Sequence, residues 1–363
     1  MLTNHCFIKF KNATLAYPST TYNALTLKEE VFKILRLGQK TKLLYDVLAL
    51  KNLNLNIQEG ERVGIIGANG AGKSTTMMIF TTLLKPTSGT AMIAGFDVMK
   101  DAKHVRENIG FVQQETTVDE YLTGRENLLL QAKLNHIPKN EINKRIDEVL
   151  DLIELSDKQD QAVVTYSGGM RKRLDIAGGL LHHPKVLFLD EPTVGLDIQT
   201  RRKIWEYIKK IHIEFEMTIF VTTHYMEEAD NLCDRIGIID GGKIQVIDSP
   251  QNMKNALGNE IISLVVENNN NNDSFLAELK KIEFIKKINQ DDSKLTLFTS
   301  NGTEVIPKIF QISSELGIKI ITISLTQPTL DDVFISYTGH EIRDDKSKFN
   351  RKIEHAKMKR LRA

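Results

Sequence analysis

Nine residues, Gly67-Ala68-Asn69-Gly70-Ala71-Gly72-Lys73-Ser74-Thr75, stand between the apolar run VGII and the helix-forming run TTMMIFTTLL. This is G-x-x-x-x-G-K-[ST] in a strand–loop–helix setting, the pattern of a phosphate-binding loop. It constrains the fold strongly, because the loop works only at the C-terminal end of a parallel strand that feeds a helix. The glycines let backbone amides of Gly70, Ala71 and Gly72 wrap a phosphate with no Cβ in the way. Lys73 supplies a point charge to β- and γ-phosphates, and Ser74 offers a hydroxyl to Mg²⁺. The chain is therefore expected to bind a nucleoside triphosphate with Mg²⁺. The loop by itself leaves kinases, GTPases, helicases and transporters open.

Other features narrow the class. At 363 residues the chain has room for two domains, and 41% hydrophobic with 26% charged residues is ordinary globular composition. A formal net charge of +1 argues against a nucleic-acid partner. Cys6 and Cys233 fit no metal spacing and suggest a reducing compartment. No apolar run approaches the roughly 18 residues of a membrane span. The start MLTNHCFIKFKN carries no secretory signal pattern. A cytosolic protein that reaches a membrane only through a partner is the expectation.

The second chemical cluster is VLFLDE, residues 186–191. VLFL reads as a central parallel strand buried on both faces. Asp190 at its end is placed to hold Mg²⁺ through water, and Glu191 to orient the attacking water as general base. After it, Thr193-Val194-Gly195-Leu196-Asp197 reads as a tight glycine turn ending in another carboxylate. Between the two clusters, Tyr166-Ser167-Gly168-Gly169-Met170 places a hydroxyl and two glycines just ahead of a helix, the build of a second anion site.

GANGAGKST, YSGGM, VLFLDEPTVGLD and VTTHYMEEAD stand in this order. Together they resemble the nucleotide-binding subunit of an ABC transporter, over about residues 7–250. The resemblance implies a P-loop NTPase of α/β class, an ABC cassette with a mixed central sheet, an antiparallel β subdomain and a helical subdomain. It also answers what the second anion site holds: Ser167, Gly168 and Gly169 would contact the γ-phosphate of ATP bound by another subunit. A chain with two half-sites for one triphosphate should pair head to tail with a second ATP-binding subunit, a homodimer enclosing two ATPs. Asp197 would link the sites across that interface. His224 matches the switch histidine and Gln114 the glutamine that ligates Mg²⁺ and water; Gln113 is adjacent, and the family's usual residue before the glutamine favours Gln114. Tyr17, with Tyr22 as alternative, matches the aromatic that stacks on adenine.

Between Gln114 and Ser167 the pattern is helical. Thr123 and Glu126 form a capping box, and EINKRIDEVLDLIEL carries Ile142, Ile146, Val149, Leu150 and Ile153 at helical spacing. VDEYLTGREN, residues 118–127, resembles exporters of the daunorubicin-resistance class. So does QPTLDDVFISYTG, residues 327–339. In ABC transporters the first of these regions docks a helix of the membrane permease, which is the partner expected here. The N-terminus departs from that class. A longer stretch after Tyr17, with a short helix bearing Val31, Ile34 and Leu35 and capped by Gly38, resembles polysaccharide and O-antigen export ATPases.

Beyond Ser249-Pro250 a strand–helix–strand–strand–helix–strand order suggests a small α+β ferredoxin-like domain. The strands fall at 261–267, 284–289, 294–299 and 318–325, and the helices at 273–281 and 303–316. The helix DDVFISYT is expected to pack on the main domain. Three segments follow: an ATP-binding domain over 1–250 with its helical subdomain at about 115–165, an accessory domain over 258–340, and a basic tail over 341–363. The tail reads as a solvated end that could also touch anionic lipid. The expected protein is an exporter ATPase, peripheral on the cytoplasmic face of the inner membrane, moving a drug, antibiotic or lipid-like molecule. Glycan export is the alternative within transport. A soluble ABC ATPase acting on DNA or ribosome is the alternative outside it, disfavoured by a single cassette and a short helical insert.

Overall fold

The structure, a computed structural model, describes residues 6–18, 45–267, 272–291 and 294–340. The expected helix around Val31–Gly38, the alternative Tyr22 and the basic tail lie outside the described residues. The chain divides into two compact units. The first takes in the described residues up to Leu232 together with Gly237–Gln245; the second takes in Cys233–Ile236 and the described residues from Val246 onward.

The elements run β1 (Cys6–Pro18), β2 (Tyr45–Gln58), β3 (Arg62–Ile66), α1 (Lys73–Phe80), β4 (Ser88–Ile93), β5 (Phe96–Asp97), α2 (Ala102–Glu107) and β6 (Ile109–Val112). Then come α3 (Gly124–Leu134), α4 (Lys139–Leu152), α5 (Gly168–Leu180), β7 (Val186–Asp190), α6 (Ile198–Phe215), β8 (Thr218–Thr223), α7 (Met226–Leu232), β9 (Arg235–Asp240) and β10 (Lys243–Asp248). The chain finishes with α8 (Pro250–Leu257), β11 (Glu260–Val266), α9 (Asn272–Leu279), β12 (Ile285–Asp291), β13 (Lys294–Thr299), α10 (Gly302–Glu315), β14 (Ile320–Thr326) and α11 (Leu330–Thr338).

The central sheet has the order β10-β9-β3-β8-β7-β6, with β3, β8, β7 and β6 parallel. VLFLD of β7 and TIFVTT of β8 are buried at every position, as parallel strands covered on both faces must be. Register aligns the strand ends: Ile66 pairs with Thr223 and Asp190 with Thr222. Residues that follow β3, β7 and β8 therefore emerge side by side. A second sheet, β2-β1-β4-β5, is antiparallel.

Phe80, at the end of α1, joins the two sheets. Its ring lies 4.1 Å from Phe10 of the antiparallel sheet, and 5.4 Å and 5.3 Å from Phe188 and Phe220 of the central one. All four rings are fully buried. Each large ring of this kind contributes about 3–5 kcal/mol by truncation, so the helix that starts at the phosphate loop is fixed at its far end.

In the helical part, Thr123 caps α3 as the sequence indicates. Its hydroxyl accepts from Glu126 N at 3.2 Å and its own N–H donates to Glu126 Oε2 at 2.8 Å. Ile142, Ile146, Val149, Leu150 and Ile153 are all buried.

The second unit carries the expected element order. Its sheet, β12-β13-β11-β14, is antiparallel throughout, which is the ferredoxin-like arrangement with the first and third strands central. Ile262, Leu264, Phe275, Leu297, Val305 and Ile309 form its core. The α11 helix opens with a Thr329–Asp332 capping box and packs on α8 within this unit.

Candidate functional site

The loop between β3 and α1 is shaped by glycines that nothing else could replace. Gly72 has φ 114°, and a Cβ there would stand 2.8 Å from Leu50 Cδ2 and 2.9 Å from Ala49 O. A Cβ on Gly67 would meet Ile239 O at 2.5 Å. Lys73, only 5% exposed, folds back on the loop. Its Nζ donates to Gly67 O at 2.9 Å and lies 3.2 Å from Glu191 Oε1.

Glu191 sits just past β7 in the left-handed region, at φ 47°. Its amide donates to Thr222 O at 2.9 Å. A bulky residue rarely holds this conformation, and such strain gathers at functional positions. The turn aims the carboxylate at both Lys73 and His224. His224 Nδ1 lies 3.1 Å from Glu191 Oε2, off the line of a well-formed hydrogen bond. Burial pushes the Glu191 carboxyl up, but His224 and Lys73 outweigh it and hold it below its ordinary range. It is therefore a carboxylate at neutral pH.

Asp190 behaves in the opposite way. Burial raises it, against the hydrogen bond from the Thr222 hydroxyl and the proximity of the Ser74 hydroxyl. Ser74 and Asp190 thus stand together at the strand end. Among the described residues no three His, Cys, Asp or Glu converge on a possible metal site. One carboxylate, one hydroxyl and a nearby Gln114 amide suit Mg²⁺, which keeps waters and phosphate oxygens rather than entering an all-protein cage. The oxygen donors present fit that ion.

An open cavity of about 810 Å³ collects most of these groups. Asn69, Gly70, Gly72, Lys73, Ser74, Thr75, Gln114, Glu191 and His224 line it. Gln113 faces elsewhere, into a groove of about 310 Å³ shared with Asn127, Leu128 and Gln131. Tyr17 lies in β1 opposite Val47, and its side chain lies outside the described residues.

Ser167, Gly168, Gly169 and Asp197 are absent from the lining of that cavity. Ser167 is the N-cap of α5, accepting from Met170 N at 3.3 Å, so the two glycines form the first turn of the helix and do not precede it. A Cβ on Gly169 would strike Thr200 Cγ2 at 2.4 Å. Asp197 caps α6, taking Thr200 N at 3.0 Å and Thr200 Oγ1 at 2.6 Å. The two turns thus pack closely at Gly169 and Thr200.

Glu228 is a residue the sequence reading passed over. It is fully buried; its Oε1 accepts from Thr193 Oγ1 at 2.7 Å and Trp205 Nε1 at 3.1 Å. It ties the turn after Glu191 to α6 and to the helix after His224. Its spacing four residues before Leu232 places both on one face of α7, but only the structure shows that face to be buried.

Sheet, loop and strand-end acids define a P-loop ATPase of the ATP-binding cassette type. Known proteins agree. The ABC transporter family model matches residues 50–194, and the model described as ATP-binding protein DrrA1-3-like, C-terminal domain, matches 249–338. The daunorubicin resistance ATP-binding protein DrrA2 of Streptomyces coeruleorubidus is 35% identical over 311 residues, 83% of this chain and 93% of that one. The linearmycin resistance ATP-binding protein LnrL of Bacillus subtilis is 33% identical, covering 81% and 95%. Among solved structures, the ATP-binding cassette MJ0796 in a dimeric post-hydrolysis state with ADP and Pi superposes with TM-score 0.54 at 31% identity, over 67% of this chain and 98% of that one. The chain belongs to the ABC transporter ATP-binding proteins, in the daunorubicin-resistance branch. It is an ATPase coupled to transport.

Proposed function

We propose that the chain powers export of a drug, antibiotic or lipid-like molecule through a separate membrane permease. The observation that carries the catalytic reading is the Glu191 carboxylate, held ionised between Lys73 and His224 at the mouth of the phosphate loop. Two chains close on two MgATP. The loop amides and Lys73 bind the β- and γ-phosphates; Ser74, Asp190 and Gln114 would hold Mg²⁺, which would neutralise phosphate charge. Glu191 takes a proton from the attacking water while His224 steadies the γ-phosphate side. Before this, Lys73 must leave Glu191 for the phosphate, which frees the base as the substrate arrives. Ser167, Gly168 and Gly169 reach the ATP of the partner copy, and hydrolysis lets the pair reopen.

The substrate class rests on the resistance proteins among the relatives and on the C-terminal match, which drug-resistance proteins share. No helix among the described residues is long and apolar enough to cross a membrane. A permease would supply the path, docked at the helical part, where Tyr121 is 91% exposed. The chain then works peripherally at the cytoplasmic face of the membrane.

Glu191→Gln tests both halves. The variant should bind MgATP with near wild-type affinity, dimerise, and turn over about 100-fold more slowly or worse. Wild-type turnover would remove Glu191 as base. Trapped on membranes with MgATP and gently solubilised, it should bring down a polytopic permease. Recovery of ribosomal or DNA-bound proteins alone would overturn the exporter reading.

A further inference from the structure

Helix α5 buries two charged side chains that do not line the P-loop cavity. Lys172 and Asp175 are 3% and 7% exposed, with Nζ and Oδ2 3.6 Å apart. A buried ion pair is rarely the most stable choice for a helix core, since apolar residues of similar volume do as well or better. These two reach the chain that leaves β6. Lys172 Nζ donates to Gln113 O at 2.6 Å and to Gln114 O at 3.2 Å. Asp175 Oδ1 accepts from Thr117 N at 3.2 Å and from Thr117 Oγ1 at 2.7 Å. One cation gripping successive carbonyls fixes the peptide plane from which the Gln114 side chain departs. The grip comes from the helix whose N-cap is Ser167. Asp175 also borders the groove that receives Gln113, while Gln114 lines the P-loop cavity.

We propose that Lys172 and Asp175 are positioning residues that clamp the Gln114 loop to the Ser167 helix and so set where Gln114 stands in the hydrolytic site. This rests on the assignment of Gln114 made above. Neither side chain lines the P-loop cavity. Their effect passes through the backbone at residues 113 and 114 and through Thr117. The loop and the helix therefore keep one relative position: the group serving a chain's own ATP is tied to the group serving its partner's.

The test is steady-state ATPase kinetics of the full-length chain with Mg²⁺. The variants are Gln114→Ala, Lys172→Met, Lys172→Arg and the Lys172→Met/Gln114→Ala double. Methionine keeps the unbranched stem and removes the donors. Lys172→Met should lower kcat by about 10- to 100-fold, the range of a small misplacement of a catalytic group. The KM for ATP should stay within about twofold, because the phosphate loop is untouched. Lys172→Arg, which still offers donors, should recover most of the rate. The double variant should be no slower than Gln114→Ala, whereas a general packing defect would multiply the two losses. Should Lys172→Met fail to fold, Thr117→Val removes one hydroxyl bond to Asp175 and should show a smaller loss with the same non-additivity. Multiplied losses, or an unchanged kcat in Lys172→Met, would overturn the clamp while leaving Gln114 in place. Wild-type turnover in Gln114→Ala would overturn the glutamine's assignment and the clamp with it.

Discussion

Glu228 has no solvent exposure, and its Oε1 holds both the Thr193 hydroxyl and the Trp205 indole N–H. Burial pushes this carboxyl above its ordinary value, against the hydrogen bonds from Thr193 and Trp205. A raised folded-state value means that the native chain keeps a proton the unfolded chain gives up above pH 4.5. The stability this group contributes is therefore fully present below that pH and is lost as pH rises toward the folded value. Glu228→Gln keeps an acceptor and cannot ionise. Measured by urea denaturation, its stability relative to wild type should improve with rising pH, by up to about 1.4 kcal/mol per pH unit within that window. Glu228→Ala leaves two buried donors unpaired and should cost about 3 kcal/mol. A flat Gln-minus-Glu difference from pH 5 to 8 would mean that Glu228 is ionised in the fold. The contrast with Glu191 shows what a sequence exposes. Asp190, Glu191 and His224 lie at or just past the ends of β7 and β8, and Lys73 opens the helix after the loop that leaves β3, strands which register brings together; for these residues the motif's place in the chain is its place in the site. Glu228, Lys172 and Asp175 sit on helices, where direction depends on neighbours that sequence alone does not supply.

Local chemistry decides several elements. The α3 helix begins at Thr123 because hydroxyl and Glu126 carboxylate satisfy each other's backbone N–H groups. Thr123→Ala should cost about 1 kcal/mol, read as a lower denaturation midpoint with unchanged slope. A loss below about 0.3 kcal/mol would mean that the Thr123–Ala162 bridge already fixes this end. Such caps were legible, as were β3, β7 and β8 from apolar runs and α4 from its stripe. In the second unit every expected strand and helix is present, with ends displaced by at most two residues, such as 303–316 against Gly302–Glu315 for α10. Ends drift because the last turn is held by caps and packing more than by periodicity. The antiparallel pairing of β1 with β2 and β4 was less visible. It joins Ile8 to Ile57 and to Ile93, partners far apart in sequence, and no turn motif announces a non-local pair.

At the scale of the molecule, the Lys73 loop and the Ser167 helix cap do not share a cavity lining within one chain. If each ATP is held by the loop of one copy and the cap of the other, two inactive variants should repair each other. Lys73→Ala removes the phosphate charge and should lose nucleotide affinity. Ser167→Ala removes the hydroxyl that reaches the partner's ATP. Each variant alone gives a dimer with two damaged sites. In a mixed dimer the damage gathers in one site: the Lys73→Ala loop meets the Ser167→Ala cap, and the other site is wild type throughout. Random pairing of equal amounts makes half the dimers mixed with one intact site each, about a quarter of the wild-type sites. ATPase activity of the mixture should rise toward that fraction as the copies exchange, from near nothing in either component. The alternative, in which Ser167 serves the ATP of its own chain, leaves one damaged residue in every site, and mixing would then restore no activity at any ratio. A third outcome, full activity in Ser167→Ala by itself, would show that the backbone of Gly168 and Gly169 and the helix terminus suffice without the hydroxyl. The complementation would then have to be repeated with Gly168→Ala, whose Cβ finds only Leu196, at 3.4 Å.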